Sequence, residues 1–144
     1  MNTNRRFVLD TNVLLVSISR RSQYHWIFQG LLRQKFELAV TSDILSEYEE
    51  VISEKYSVSV ARNVIRALLL LPNVIRTEVY YNWNLIRDDR DDDKFVDCAV
   101  ASNANAIVTQ DTHFNILNSI PCPQITTLTI SEFEAVLGKQ RADS

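Results

Sequence analysis

The 144-residue chain is poor in the residues that interrupt or staple a fold, with 2 glycines, 3 prolines and 2 cysteines. So little Gly and Pro argues against a turn-rich β-sandwich and against flexible linkers between modules. Cys98 and Cys122 form neither a disulfide framework nor a paired zinc-ligand pattern. Cys98, inside an apolar run, reads as a small buried hydrophobe. Such cysteine usage suits a reducing compartment, so a cytoplasmic location is expected. Long apolar runs are also missing. The longest aliphatic cluster, Ala67 to Leu71, is far too short to span a bilayer, and no membrane partner is expected. The basic stretch Met1 to Arg6 leads into too short an apolar run for a signal peptide. Positive charge is not in excess. A net charge of -3 gives no global basic field, although a local basic face would suffice to hold a nucleic acid.

What is present describes one ordinary globular domain: 46% hydrophobic and 23% charged residues, at a length that buries roughly 70% of the unfolded surface. Residues 1–138 are read as that domain and 139–144 as a polar C-terminal tail. Phe7-Val8-Leu9 is a continuously apolar run, the pattern of a strand covered on both faces, and it ends abruptly in Asp10. A helix over Asn12 to Ser19 follows, with Thr11 or Asn12 as its cap, and a second from Tyr24 to Gln34. Phe36 to Thr41 reads as a strand with Phe36, Leu38 and Val40 in alternation. Helices are expected from Ser42 to near Tyr56 and from Val58 to Leu71, the latter stopped by Pro72. Asn73 to Val79 is a β-branched third strand candidate. After the run Asp88-Asp89-Arg90-Asp91-Asp92-Asp93 comes a helix over Lys94 to Ala101, and then a buried strand, Ala106 to Thr109, leading to Asp111. Ile125 to Leu128 is read as the last strand, and Ser131 to Leu137 as a terminal helix opened by a Ser131–Glu134 capping box. Alternating strands and helices imply a single-domain three-layer α/β/α sandwich around a central parallel sheet.

The chemistry-bearing residues are carboxylates. Asp10 and Asp111 each follow a buried strand, Glu47 lies on the helix after a strand, and one member of the 88–93 run opens a helix before a strand. If those strands are neighbours, all four acids reach one edge of the sheet, where open α/β folds bind their ligands. Within the run, Asp92 stands three, four and seven residues before Phe95, Val96 and Ala99, over their buried stripe. Asp93 is the second choice, and Asp89 is a candidate for a supporting loop contact. Four crowded carboxylates cannot all stay ionised without a cation, and hard divalent ions such as Mg2+ or Mn2+ prefer such oxygen ligands. Metal-activated water attacking a phosphodiester is the natural chemistry of such a site. Histidine is not needed for it. His25 and His113 are read as incidental, although His113 closely follows Asp111, within reach of a substrate. Arg20, Arg21, Arg33, Lys35, Arg62 and Arg66 are the basic residues that could hold a nucleic-acid backbone.

Leu9-Asp10-Thr11-Asn12-Val13, Ser42 with Glu47, Asp92-Asp93-Lys94-Phe95 and Val108-Thr109-Gln110-Asp111 together resemble a PIN-domain ribonuclease, in order and across nearly the whole chain from Phe7 to about Leu137. The likeness is greatest to the small prokaryotic toxin components related to VapC. It implies a PIN-like fold and an acidic quartet at Asp10, Glu47, Asp92 and Asp111 that binds Mg2+ or Mn2+ and cleaves RNA. It also implies supporting polar positions at Asn12 and Thr109, and a small antitoxin protein as partner. Gln110 departs from the glycine that such relatives often carry. Apolar surface on the helices at 24–34 and 58–71 is sufficient for a homodimer. Two readings compete with the ribonuclease. A Mg2+-dependent phosphohydrolase of small phosphate esters is one, disfavoured because no second aspartate stands two residues after Asp10. The other is a non-catalytic binding or dimerisation module, which would have no reason to keep mutually repelling buried carboxylates.

Overall fold

The structure is a computed structural model that describes residues 5–86 and 90–142. Five parallel strands, β1 (Arg6–Leu9), β2 (Glu37–Val40), β3 (Val74–Arg76), β4 (Ala106–Val108) and β5 (Thr127–Leu128), form one sheet in the order β3-β2-β1-β4-β5. Helices α1 (Thr11–Ile18), α2 (His25–Leu32), α3 (Ser42–Lys55), α4 (Val58–Leu70), α5 (Asp93–Ser102) and α6 (Ile130–Ala142) flank it. Phe7, Val8 and Leu9 of the central strand are all buried, as are Leu38, Ala39 and Val40 of β2. Successive strand side chains point to opposite faces, so both faces are covered. That is why the alternation read in β2 is incomplete: Ala39 lies as deep as its neighbours. One side of the core is aromatic, with Phe133 of α6 against Phe7, Phe36 and Trp26. Burial pushes the Cys98 thiol up to about 12, so this cysteine serves as core filling.

Strand order decides where function can sit. From β1 the chain moves outward through β2 to β3, then returns to lay β4 on the opposite side of β1. The reversal opens a crevice at the carboxyl ends of β1 and β4, the usual ligand position in open α/β sheets.

Several boundaries differ from those read in the sequence. The β-branched run from Asn73 pairs with β2 only over Val74–Arg76, and β5 is confined to Thr127–Leu128. Both are outer strands with one neighbour, so fewer residues are held in the ladder. The capping box lies two residues earlier than expected: Thr129 Oγ1 accepts the Glu132 N–H and Glu132 Oε1 accepts the Thr129 N–H. The helix then continues through Gly138 to Ala142, since one helical glycine costs only about 1 kcal/mol. Thr41 and Ser57 cap α3 and α4 through the N–H groups of Ile44 and Val60. Residues 112–119 form a 3-10 helix where a short turn is expected.

Asn73 is a buried polar residue that periodicity does not single out. Its Nδ2 donates to the carbonyls of Leu31 and Phe36 at 2.9 and 2.8 Å, tying the end of α2 and the approach to β2 to the start of β3. Asn73→Ala should strip two buried carbonyls of their donor and cost about 2 kcal/mol. Urea unfolding would register that as a lower midpoint with an unchanged slope; a midpoint equal to wild type would show the bridge to be dispensable.

Candidate active site

Asp10 leaves β1 and is the residue on which α1 begins, its backbone carbonyl accepting from Val13 and Leu14 while its own N–H donates to Val108 of β4. The side chain is therefore fixed at the crevice and is buried. Thr109, at the end of β4, joins the two strand-end acids. Its hydroxyl donates to Asp10 Oδ2 at 2.9 Å and accepts the Asp111 N–H at 3.0 Å. Asp111 in turn caps the 112–119 helix by accepting the His113 N–H at 2.9 Å. Burial holds the Asp10 carboxyl above the ordinary carboxylate range; the Thr109 hydroxyl lowers it, the Asp111 charge raises it further, and the N–H groups of Thr11 and Asn12 lower it.

Glu47 reaches the same edge from α3 and is half-buried there. Both its oxygens are engaged: Oε2 accepts the Thr11 hydroxyl, and Oε1 lies 2.6 Å from Lys94 Nζ. The neighbouring Tyr48 is fully buried and donates to the Leu9 carbonyl at 2.6 Å, which fixes this part of α3 against the end of β1. Asp92 closes a 3-10 turn, Arg90–Asp92, immediately before α5 and is buried. Its carboxylate comes together with Asp111 and His113, each offering one atom within 4.8 Å of the others'. Among the described residues, this is the group of acids, cysteines and histidines gathered that tightly.

The expected site residues thus fall into distinct places. Asp92 and Asp111 meet, Asp10 is coupled to Asp111 through Thr109, and Glu47 is held beside them by Lys94 and Thr11. Neither Asp10 nor Glu47 is part of the 4.8 Å group. Asp93 does other work: it is buried and accepts the Ile86 N–H at 2.8 Å, while Asp97, one turn on, accepts the Trp83 N–H at 2.9 Å. Together these two carboxylates pin the irregular 83–86 segment onto α5. Asp88 and Asp89 lie outside the described residues. Asn12 is exposed, and its influence on Asp10 comes through its backbone N–H; the side chain that orients an acid at this turn is Thr11. Gln110 Oε1 accepts the Ile130 N–H at 3.0 Å and so links this loop to the start of α6.

Thr11 and Lys94 have roles at the site that the sequence did not single out, and His113, read as incidental but within reach of a substrate, joins the acids. Thr11 opens the helix after Asp10, Lys94 follows the aspartate run, and His113 stands two residues beyond Asp111, so each had only proximity to signal it. Arg20, Arg21, Arg33, Lys35, Arg62 and Arg66 are all exposed. Lys94 also lines an open cavity of about 530 Å3 with Thr41, Asp43, Tyr80, Asn82 and Asp97. The carboxylate oxygens and the imidazole form a donor set that fits a divalent cation.

A family model described as PIN domain matches residues 6–113. No curated protein sequence matches the chain. The fold is similar to a chain in the crystal structure of VapBC2 from Rickettsia felis bound to a DNA fragment from their promoter, with a TM-score of 0.60 and 18% identity over 86% of this chain and 98% of that one. It is also similar to the T. brucei RRP44 PIN domain, with a TM-score of 0.52 and 14% identity over 98% of this chain and 85% of that one. At these identities the similarity is one of fold.

Because the folded state raises the Asp10 pKa, the native protein holds that proton to a higher pH than the unfolded chain does. Charge on Asp10 therefore costs stability above the folded pKa, and the cost is relieved as pH falls through it toward the ordinary value. In metal-free protein at neutral pH, Asp10→Asn should raise the melting temperature by roughly 2–4 °C. The gain should shrink as the pH approaches ~4. An unchanged or lower melting temperature at neutral pH would contradict this electrostatic account.

Proposed function

The chain belongs to the PIN-domain family, whose members are nucleases, and on that premise we propose that it is a divalent-metal-dependent endoribonuclease. The observation that carries the proposal is the meeting of Asp92, Asp111 and His113 beside the buried Asp10, at the point where the strand order reverses. In this reading Asp92 and Asp111 hold a Mg2+ or Mn2+ ion, with Asp10 and Glu47 completing its acidic surroundings. The ion, when bound, supplies a water of lowered pKa and neutralises charge developing on the scissile phosphate.

The remaining work falls to the chain itself. Thr109 keeps the Asp10 carboxylate turned toward Asp111. Thr11 and Lys94 fix both oxygens of Glu47, which costs little reorganisation when a phosphodiester arrives. Membership of a nuclease family favours a nucleic-acid phosphodiester over a small phosphate ester as the substrate.

The similarity in fold to a chain of the Rickettsia felis VapBC2 complex supports a further step: the nuclease is the toxin of a toxin–antitoxin pair, restrained by a small protein partner in the cytoplasm. No helix among the described residues is long and apolar enough to cross a membrane. Leu69 and Leu70 at the end of α4, 47% and 78% exposed, are the apolar surface that a homodimer would cover.

Purified protein incubated with single-stranded and structured RNA should cleave in Mn2+ or Mg2+ and stop in EDTA. Asp92→Asn and Asp111→Asn should each lower the rate by more than about 100-fold, and Thr109→Val by about 10–100-fold through loss of carboxylate orientation. Cleavage that persists in EDTA or in both Asn variants would refute the metal-dependent mechanism. Turnover of a small phosphate ester without RNA cleavage would favour the phosphohydrolase.

A further inference from the structure

The two histidines of the chain are placed very differently. His25 Nδ1 lies 2.8 Å from the Ser17 carbonyl and its ring rests near Phe28, a contact that ties α2 back to α1. His113 is turned toward the acids. Its N–H donates to Asp111 Oδ1 at 2.9 Å, and that turn brings the imidazole back over the same carboxylate, with Nδ1 3.4 Å from Oδ1. Asp92, in the turn before α5, offers a third atom to the group.

We infer that His113 is a nitrogen ligand of the ion held by Asp92 and Asp111, and that it biases the site toward Mn2+ over Mg2+; the inference rests on the metal-dependent reading above.

Geometry supports a shared ion more than a direct ion pair. A charge-assisted N–H···O bond is usually about 2.7–2.9 Å long, shorter than the 3.4 Å found between Nδ1 and Oδ1. Adjacent ligands of an octahedral ion with bonds of about 2.1 Å stand roughly 3 Å apart, so a small closure would seat both atoms on one ion. The ring is half exposed and Asp92 is buried, which leaves one side of the group open to solvent and substrate. The chemistry then sets the preference. Mg2+ takes oxygen ligands and holds its waters, whereas imidazole is a better donor to transition ions. An oxygen-only set would leave the choice between Mg2+ and Mn2+ to concentration; one imidazole tilts it.

The test is Mn2+ titration of tag-free protein followed by pulsed electron paramagnetic resonance, which detects a nitrogen bonded to bound Mn2+. Wild type and His25→Gln should both show the modulation of one imidazole nitrogen. His113→Gln, at a half-exposed position and so expected to fold, should lose it and bind Mn2+ about tenfold more weakly. Mg2+ affinity, read by competition with Mn2+, should change by less than about twofold on the same substitution. Bound Mn2+ without nitrogen modulation in wild type would overturn the role of His113 and leave the metal reading standing. Equal weakening of Mn2+ and Mg2+ by His113→Gln would overturn the metal preference. Failure of wild type to bind either ion would overturn the metal reading itself, and His113 with it.

Discussion

Like charges gathered at one edge of a buried sheet are the constraint on which the rest of this structure depends. Asp10 and Asp111 are brought there by the central strand and its neighbour, and a carboxylate deprived of water beside another carboxylate is held away from its ionised form. The sheet itself cannot relieve this. Relief comes from groups placed around the acids: the Thr109 hydroxyl, the N–H groups that start α1, the Lys94 ammonium and the Thr11 hydroxyl. What these leave is a crevice whose grouped acids and imidazole are compatible with a divalent cation.

The same helix serves two ends. The 3-10 turn before α5 delivers Asp92 to the crevice, and Lys94 of α5 reaches Glu47. Its Asp93 and Asp97 meanwhile anchor the irregular segment around Trp83 and Ile86. Burial raises the Asp97 carboxyl, with the Trp83 N–H lowering it and the Asp93 charge raising it. Acids of α5 and the turn before it therefore have opposed duties, Asp92 grouped with Asp111 and His113 while Asp93 and Asp97 hold the loop.

The order of elements was legible because apolar continuity marks strands buried on both faces, as in Phe7-Val8-Leu9 and Ala106-Ile107-Val108. Carboxylates at the ends of such strands were legible as site candidates for the same reason. Less could be read where partners are distant in sequence. Thr11 with Glu47, Lys94 with Glu47 and Asn73 with Leu31 are contacts that only the folded chain creates. Within the aspartate run, helical spacing separated Asp92 from Asp93, but it could not show that Asp93 serves the backbone of residue 86. The outer strands were overread because β-propensity continues past the residues that a single neighbour holds.

The claim that Asp92 and Asp111 hold a cation at this sheet edge is tested most directly by anomalous diffraction from crystals soaked in Mn2+. The account predicts a single strong peak within bonding distance of Asp92 and Asp111, at the crevice between β1 and β4. Full Mn2+ occupancy elsewhere on the protein, or no peak at this edge in crystals that diffract well, would contradict it.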